Sequence, residues 1–399
     1  MIRLKVADKE RLGFSVICLG IYFMSMPFDS INLFGMGTLN RVLILLPILG
    51  VLLERNTLFY AGNLTKILIA YLAYFLLTTL YSISLDMTLS RVLTLFLNIM
   101  AVLCMGALRK SYSGREIKFL KKALVIGGIL TIIFTLLFSG ASDSGRLTMM
   151  VNGESQDQNY LNGYMMFAFV LFVTQILSKK YIYIFPIIGF FAFILFTGSR
   201  GALLAFIGTA LFIVFYALRN QKKSMRTLWI FALVCLILYL FIDSIMDLLP
   251  ATVAVRFTSD YIDAHTTTGR GDIWLYLLQV YADSSVFRQL MGFGYGVTPL
   301  VNQMGGLFNG LAAHNLWIEH LIIGGLIGEV LFNIMIFSYI KAAFRTKDIF
   351  VIGSYIGFLI MMMSLSLLSY KPIWNCMMMI MIITRNQSAK ESNLAKTAL

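Results

Sequence analysis

His314 stands in the run His314-Asn315-Leu-Trp-Ile-Glu319-His320 and is one of only three histidines in 399 residues. Imidazole is the side chain best matched to general-base work near neutral pH, although a lone histidine more often serves structure. Arg200, in Thr197-Gly-Ser-Arg-Gly-Ala-Leu-Leu204, and Arg270, in Thr268-Gly-Arg-Gly-Asp-Ile-Trp274, are each flanked by glycine just ahead of a helix. Glycine lets a bulky anion approach the backbone, and a helix start presents N–H donors to it. A guanidinium adds a planar fork that grips phosphate or carboxylate through two bonds. Two such sites on one face suit a diphosphate at a lipid surface. Asp157 and Asn159, in Glu154-Ser-Gln-Asp-Gln-Asn159, are candidates to accept sugar hydroxyls or, equally, to cap a helix. Asn315 is placed to orient His314 or to bind sugar, Glu319 follows near the outer boundary, and Arg146 or Arg288 is placed to assist at the diphosphate.

These residues must be held by membrane helices. The chain is 59% apolar and 13% charged, about half the charged share of a soluble protein. A soluble enzyme, a disulfide scaffold and a disordered chain are excluded. The four cysteines (Cys18, Cys104, Cys235, Cys376) lie in apolar stretches, so neither a disulfide nor a thiolate metal site is expected. The first apolar run lacks a small-residue cleavage site and reads as a retained span.

Twelve apolar runs are long enough or nearly long enough to span a bilayer: 12–28, 39–54, 65–84, 91–108, 120–138, 159–178, 181–197, 200–218, 227–245, 315–340, 349–370 and 372–384. The expected fold is an all-α polytopic membrane protein, one integral domain over 1–399. Alternate connections carry 24 and 8 of the 32 Lys and Arg residues, which puts both termini in the cytoplasm. The net charge of +13 is then a sidedness signal rather than a sign of nucleic acid. Seven of the eight outward basic residues are Arg, while both types occur 16 times overall. Arg41 and Arg91, each opening a span, read as interfacial anchors. Two outer loops exceed a turn, 139–158 and the large 246–314 loop. In the latter, Asp272 to Tyr281 predicts a helix lying at the interface, ended by a flexible Gly292-Phe-Gly-Tyr-Gly296 turn.

Taken together these motifs resemble the O-antigen ligase and O-antigen polymerase (Wzy-type) superfamily. His314-Asn315, nine residues, Gly325, two residues, Gly328 fits its histidine motif without a gap, and Arg200 with Leu204 fits its Arg-x-x-x-Leu. Arg270 to Trp274 followed by Gly292-Phe-Gly resembles its large-loop pattern, and Asp157-Gln-Asn159 its Asp-x-Asn. The resemblance covers about 145 to 330 and implies transfer of a glycan from undecaprenyl diphosphate on the extracytoplasmic face of the bacterial inner membrane. It implies His314 as base and Arg200 and Arg270 at the diphosphate. The implied partners are undecaprenyl-diphosphate-linked glycans, membrane lipids, and a flippase and chain-length regulator of the same pathway. No Asp-x-Asp, Walker loop or His/Cys cluster is present in the sequence, so no cofactor or metal is expected. The superfamily holds both polymerases and ligases. A channel is the reading from another class, since Gly294-Tyr-Gly296 resembles a potassium filter, but no matching halves accompany it. Glu329, the main deeply placed charge, has no role assignable from sequence.

Overall fold

The structure, a computed structural model, describes residues 11–30, 39–54, 57–141, 145–151, 154–221, 242–258, 270–304, 311–366 and 370–397. Helices occupy eleven of the twelve apolar runs, and the remaining run, 227–245, lies mostly outside the described residues. The helices used below are α1 (Phe14–Met24), α2 (Leu45–Leu52), α3 (Asn63–Leu77), α4 (Leu85–Leu103) and α5 (Gly114–Leu137). They continue with α6 (Gln158–Tyr164), α7 (Met166–Leu177), α8 (Ile184–Phe196), α9 (Arg200–Gln221) and α10 (Arg270–Ala282). The last four are α11 (Val286–Met291), α12 (Leu316–Thr346), α13 (Ile349–Met362) and α14 (Lys371–Thr397).

Among the described residues, five helices are long and apolar enough to cross a membrane by themselves, and four further apolar helices are shorter. Their outward faces carry large apolar side chains, such as Leu137 and Phe185 (both 71% exposed) and Phe337 (64%). A contiguous surface of this kind is tolerated in hydrocarbon rather than in water. Inward faces share one core, in which α12 packs on α3, α11, α13 and α14, α9 on α13, and α1 on α5.

Four features differ from the sequence expectation. The fold is helical as expected apart from the 139–158 loop, which carries a small antiparallel three-stranded sheet of β1 (Ser139–Ala141), β2 (Leu147–Val151) and β3 (Glu154–Ser155). Ser139 lies opposite Met149, and Val151 opposite Glu154. The run 159–178 is bent by 45° between α6 and α7. There Asn162 turns its side-chain amide to Gln158 O and Thr197 Oγ1, both at 2.8 Å.

The third difference is that 315–340 is not one straight span. Gly325 breaks α12 at φ 58°, ψ −163°. Across the break Trp317 Nε1 donates to Asn333 Oδ1 at 3.2 Å, and His320 stacks on Phe332 at 3.8 Å and 9°. A straight helix would hold those pairs about 24 and 18 Å apart. Leu316–Gly324 is therefore a half-helix folded back on the part that follows Gly325. Glu329 gains a role here, because its Oε1 accepts from Asn333 Nδ2 at 2.6 Å and orients the amide that holds Trp317.

The fourth difference is that the Gly292–Gly296 segment is a lock rather than a flexible turn. The fold-back frees carbonyls that need donors inside the protein. Phe293 N donates to Ile322 O at 2.9 Å, Gly294 N to Ile323 O at 3.1 Å, and the Tyr74 hydroxyl to Gly324 O at 2.5 Å. A Cβ on Gly292 would lie 2.5 Å from Gly325 N, and one on Gly325 would lie 2.5 Å from the Leu290 carbonyl. Both also have positive φ, so only glycine suits this contact.

Candidate active site

The half-helix begins at His314, whose φ is 51°, and Asn315, which caps it by accepting from Trp317 N (3.1 Å) and Ile318 N (3.3 Å). The segment is pinned from three directions. Ala313 O accepts from Trp274 Nε1 of α10 at 2.7 Å. Ala313 N donates to Glu319 Oε2 at 3.1 Å. His314 N donates to Ser366 Oγ at 3.2 Å, and Ser366 Oγ donates to the same Glu319 oxygen at 3.0 Å.

His314 opens onto a cleft of about 360 Å³ that it shares with Arg146, Asp157, Asn159, Arg200, Arg256 and Arg270. Arg146 comes from the turn before β2, Arg200 from the start of α9, Arg256 from a 3₁₀ turn at Val255–Phe257, and Arg270 from the start of α10. Two successive carbonyls at the α8–α9 turn hold the first and third of these. Thr197 O accepts from Arg146 Nε at 2.7 Å, and Gly198 O accepts from Arg256 Nε at 3.2 Å. Gly198 has φ +60°, and a Cβ there would sit 3.3 Å from both Arg146 Nε and Arg256 Cδ. Arg270 Nη1 donates to Ser364 O at 2.9 Å. Asp157 is the one carboxylate in the lining among the described residues; its Oδ1 accepts from Asn159 N at 2.7 Å, so it both caps α6 and faces the cleft. Asn159 Oδ1 accepts from Ser199 Oγ at 2.6 Å and ties α6 to the same turn.

Four guanidinium groups against one carboxylate make a site that favours an anion with several charges. Burial and the nearby Arg270 charge hold the His314 pKa below its ordinary 6.5, with Asp157 opposing. The imidazole is therefore neutral, and able to take a proton, at pH 7. Its Nδ1 is buried without a hydrogen-bond partner among the described residues, an arrangement that a bound hydroxyl would complete. Activity that needs the neutral imidazole is expected to have its acid limb below pH 6.5. Asp157→Asn keeps a capping side chain but removes the charge that raises the His314 pKa, so the limb moves to lower pH. The profile of kcat/KM against pH checks this, and a limb that stays put or moves up contradicts it.

Three residues expected at the site are used elsewhere. Arg288 donates to Tyr81 O (2.8 Å) and Gly292 O (3.2 Å) and lies over Phe293, so it braces the glycine lock. Asn315 caps the half-helix through its Oδ1 and is not part of the cleft lining, and Glu319 is buried as the acceptor that positions residues 313 and 314. Arg256 was missed. It has no glycine flank or motif, and the outward arginine bias was its only signal. Arg91, read as an anchor, lines a neighbouring cavity of about 240 Å³ together with Asp157 and Tyr160.

Arg200, Arg256, Arg270, His314 and both glycines of the fold-back fall inside one stretch of the chain that resembles a known family. Residues 185–333 match the model of the O-antigen ligase family. This match, over about a third of the chain, supports the resemblance to the O-antigen ligase and polymerase superfamily. Arg146, Asp157 and Asn159 lie before the matched segment, so the cleft joins it to the region of the 139–158 loop. No curated protein matches the chain significantly.

Proposed function

We propose that the protein polymerises oligosaccharide repeat units carried on undecaprenyl diphosphate. The growing glycan is donor, and a hydroxyl of a new lipid-linked unit is acceptor. The hydroxyl oxygen attacks the donor's anomeric carbon, its proton passes to His314, and the bond from that carbon to the diphosphate breaks. The lipid diphosphate leaves with the bonding pair. Arg200 and Arg270, joined by Arg146 and Arg256, hold the diphosphate and stabilise the charge it gains. Asp157 and Asn159 lie at the edge where the sugar enters. The observation that carries this reading is the convergence of the four arginines on the neutral His314. The setting is a twelve-span protein of the inner membrane, both termini cytoplasmic and the cleft outward, working beside a flippase and a chain-length regulator.

The second reading is a ligase that passes the finished glycan to lipid A-core or another surface acceptor, and the description of the matched family favours it. Purified protein supplied with defined lipid-linked repeat units alone separates the two. A polymerase yields a ladder of longer lipid-linked chains, because donor and acceptor are the same kind of molecule. Silence until a different acceptor is added rejects polymerisation in favour of ligation.

A further inference from the structure

The membrane face opposite His314 holds a second cavity, of about 730 Å³, whose lining among the described residues includes Lys66, Lys341, Arg345 and Arg385 and no Asp or Glu. It lies at the end of α12 far from the Gly325 fold-back, and beside Gly106, at the end of α4 and its π turn far from Arg91. Basic residues gather at one face of most membrane proteins, so their number alone decides nothing. Their partners do. Nearby Arg109 is neutralised by Glu54 (3.0 Å) and Glu116 (2.7 Å), and Lys121 pairs with Asp348. Lys66, Lys341 and Arg345 make no ion pair among the described residues. Lys341 and Arg345 also stand one helical turn apart, a spacing at which like charges repel.

The cavity walls are fixed. Leu58 N and Tyr60 N donate to Leu108 O and Ala107 O of the π turn Cys104–Leu108, each at 2.9 Å. Arg385 Nη2 donates to Leu58 O at 2.8 Å, and its guanidinium lies 5.7 Å from the Tyr60 ring centre. Beside the cations, Leu58, Phe59 and Tyr60 are 60%, 54% and 46% exposed. Aromatic and apolar side chains next to a basic pocket between helices suit the boundary between headgroup and acyl chain.

We propose that this cavity binds the headgroup of an anionic phospholipid, and that a diphosphatidyl lipid such as cardiolipin, with two phosphates to meet four cations, is held best. Free diphosphate shares the chemistry; the apolar rim favours the lipid. The test is native mass spectrometry of the full-length protein in detergent with added cardiolipin, phosphatidylethanolamine or inorganic diphosphate. Cardiolipin is expected to stay on the wild type and on the control Lys118→Gln/Lys122→Gln. Lys66→Gln/Lys341→Gln/Arg345→Gln is expected to retain it at least ten-fold less. If the triple variant does not elute as a single species, Lys341→Gln alone decides, with reduced retention expected. Equal retention by the variant overturns the proposal. So does equal retention of phosphatidylethanolamine, or binding of diphosphate in place of the lipid.

Discussion

His314→Ala is expected to lower turnover by roughly 10²–10⁴-fold, the usual contribution of a positioned general base, while the protein still inserts and still binds its lipid donor. Loss confined to kcat identifies a group that acts in the transition state rather than in ground-state binding. His314 is held through its own N–H, the Ser366 hydroxyl and Glu319, and none of these bonds uses the imidazole. Truncating the ring therefore leaves the segment pinned. An Ala variant with near-full activity would make His314 structural and leave the acceptor base unidentified.

Arg200→Lys and Arg270→Lys are each expected to impair turnover nearly as severely as Ala. Lysine keeps the charge but offers a point contact on a flexible stem, so the paired donors are lost. One charge-assisted contact of this kind is worth about 1.5–3 kcal/mol, which is roughly ten- to a hundred-fold in rate. At Arg270 the exchange has a second cost, because Nη1 is also bonded to Ser364 O and helps seat α10. Arg41→Lys, at an interfacial position outside the cleft lining, is the control and is expected to be almost silent. Polymer yield per membrane-inserted protein measures all three, and equal tolerance throughout would mean that the outer arginines are anchors.

Much of this was legible because it depends on residue type and side of the membrane alone. Hydropathy located the helices, and the arginine-rich set of connections read as outward contains Arg146, Arg200, Arg256 and Arg270, which converge on one cleft. What escaped depends on partners distant in the chain. Arg256 and Arg288 both lie in the 246–314 connection with nothing local to tell them apart; one finds Gly198 O and the cleft, the other Tyr81 O and the glycine lock. The histidine motif could be matched at Gly325 without revealing why a glycine stands there. The reason is a fold-back that brings its backbone against Gly292, and hydropathy, which stays apolar on both sides of Gly325, does not register a reversal. Short strands in 139–158 escaped because three residues of Ser, Gly and Ala have no alternation to detect.

The division of labour between arginines and histidine is tested most directly by donor binding. Affinity for a defined undecaprenyl-diphosphate-linked repeat unit would be measured on purified wild type, His314→Ala and Arg200→Lys in the same lipid nanodiscs. A cleft that holds the diphosphate with arginine and activates the acceptor with histidine predicts wild-type affinity for His314→Ala and at least ten-fold weaker binding for Arg200→Lys. Unchanged binding by Arg200→Lys, or donor binding lost in His314→Ala, would contradict it.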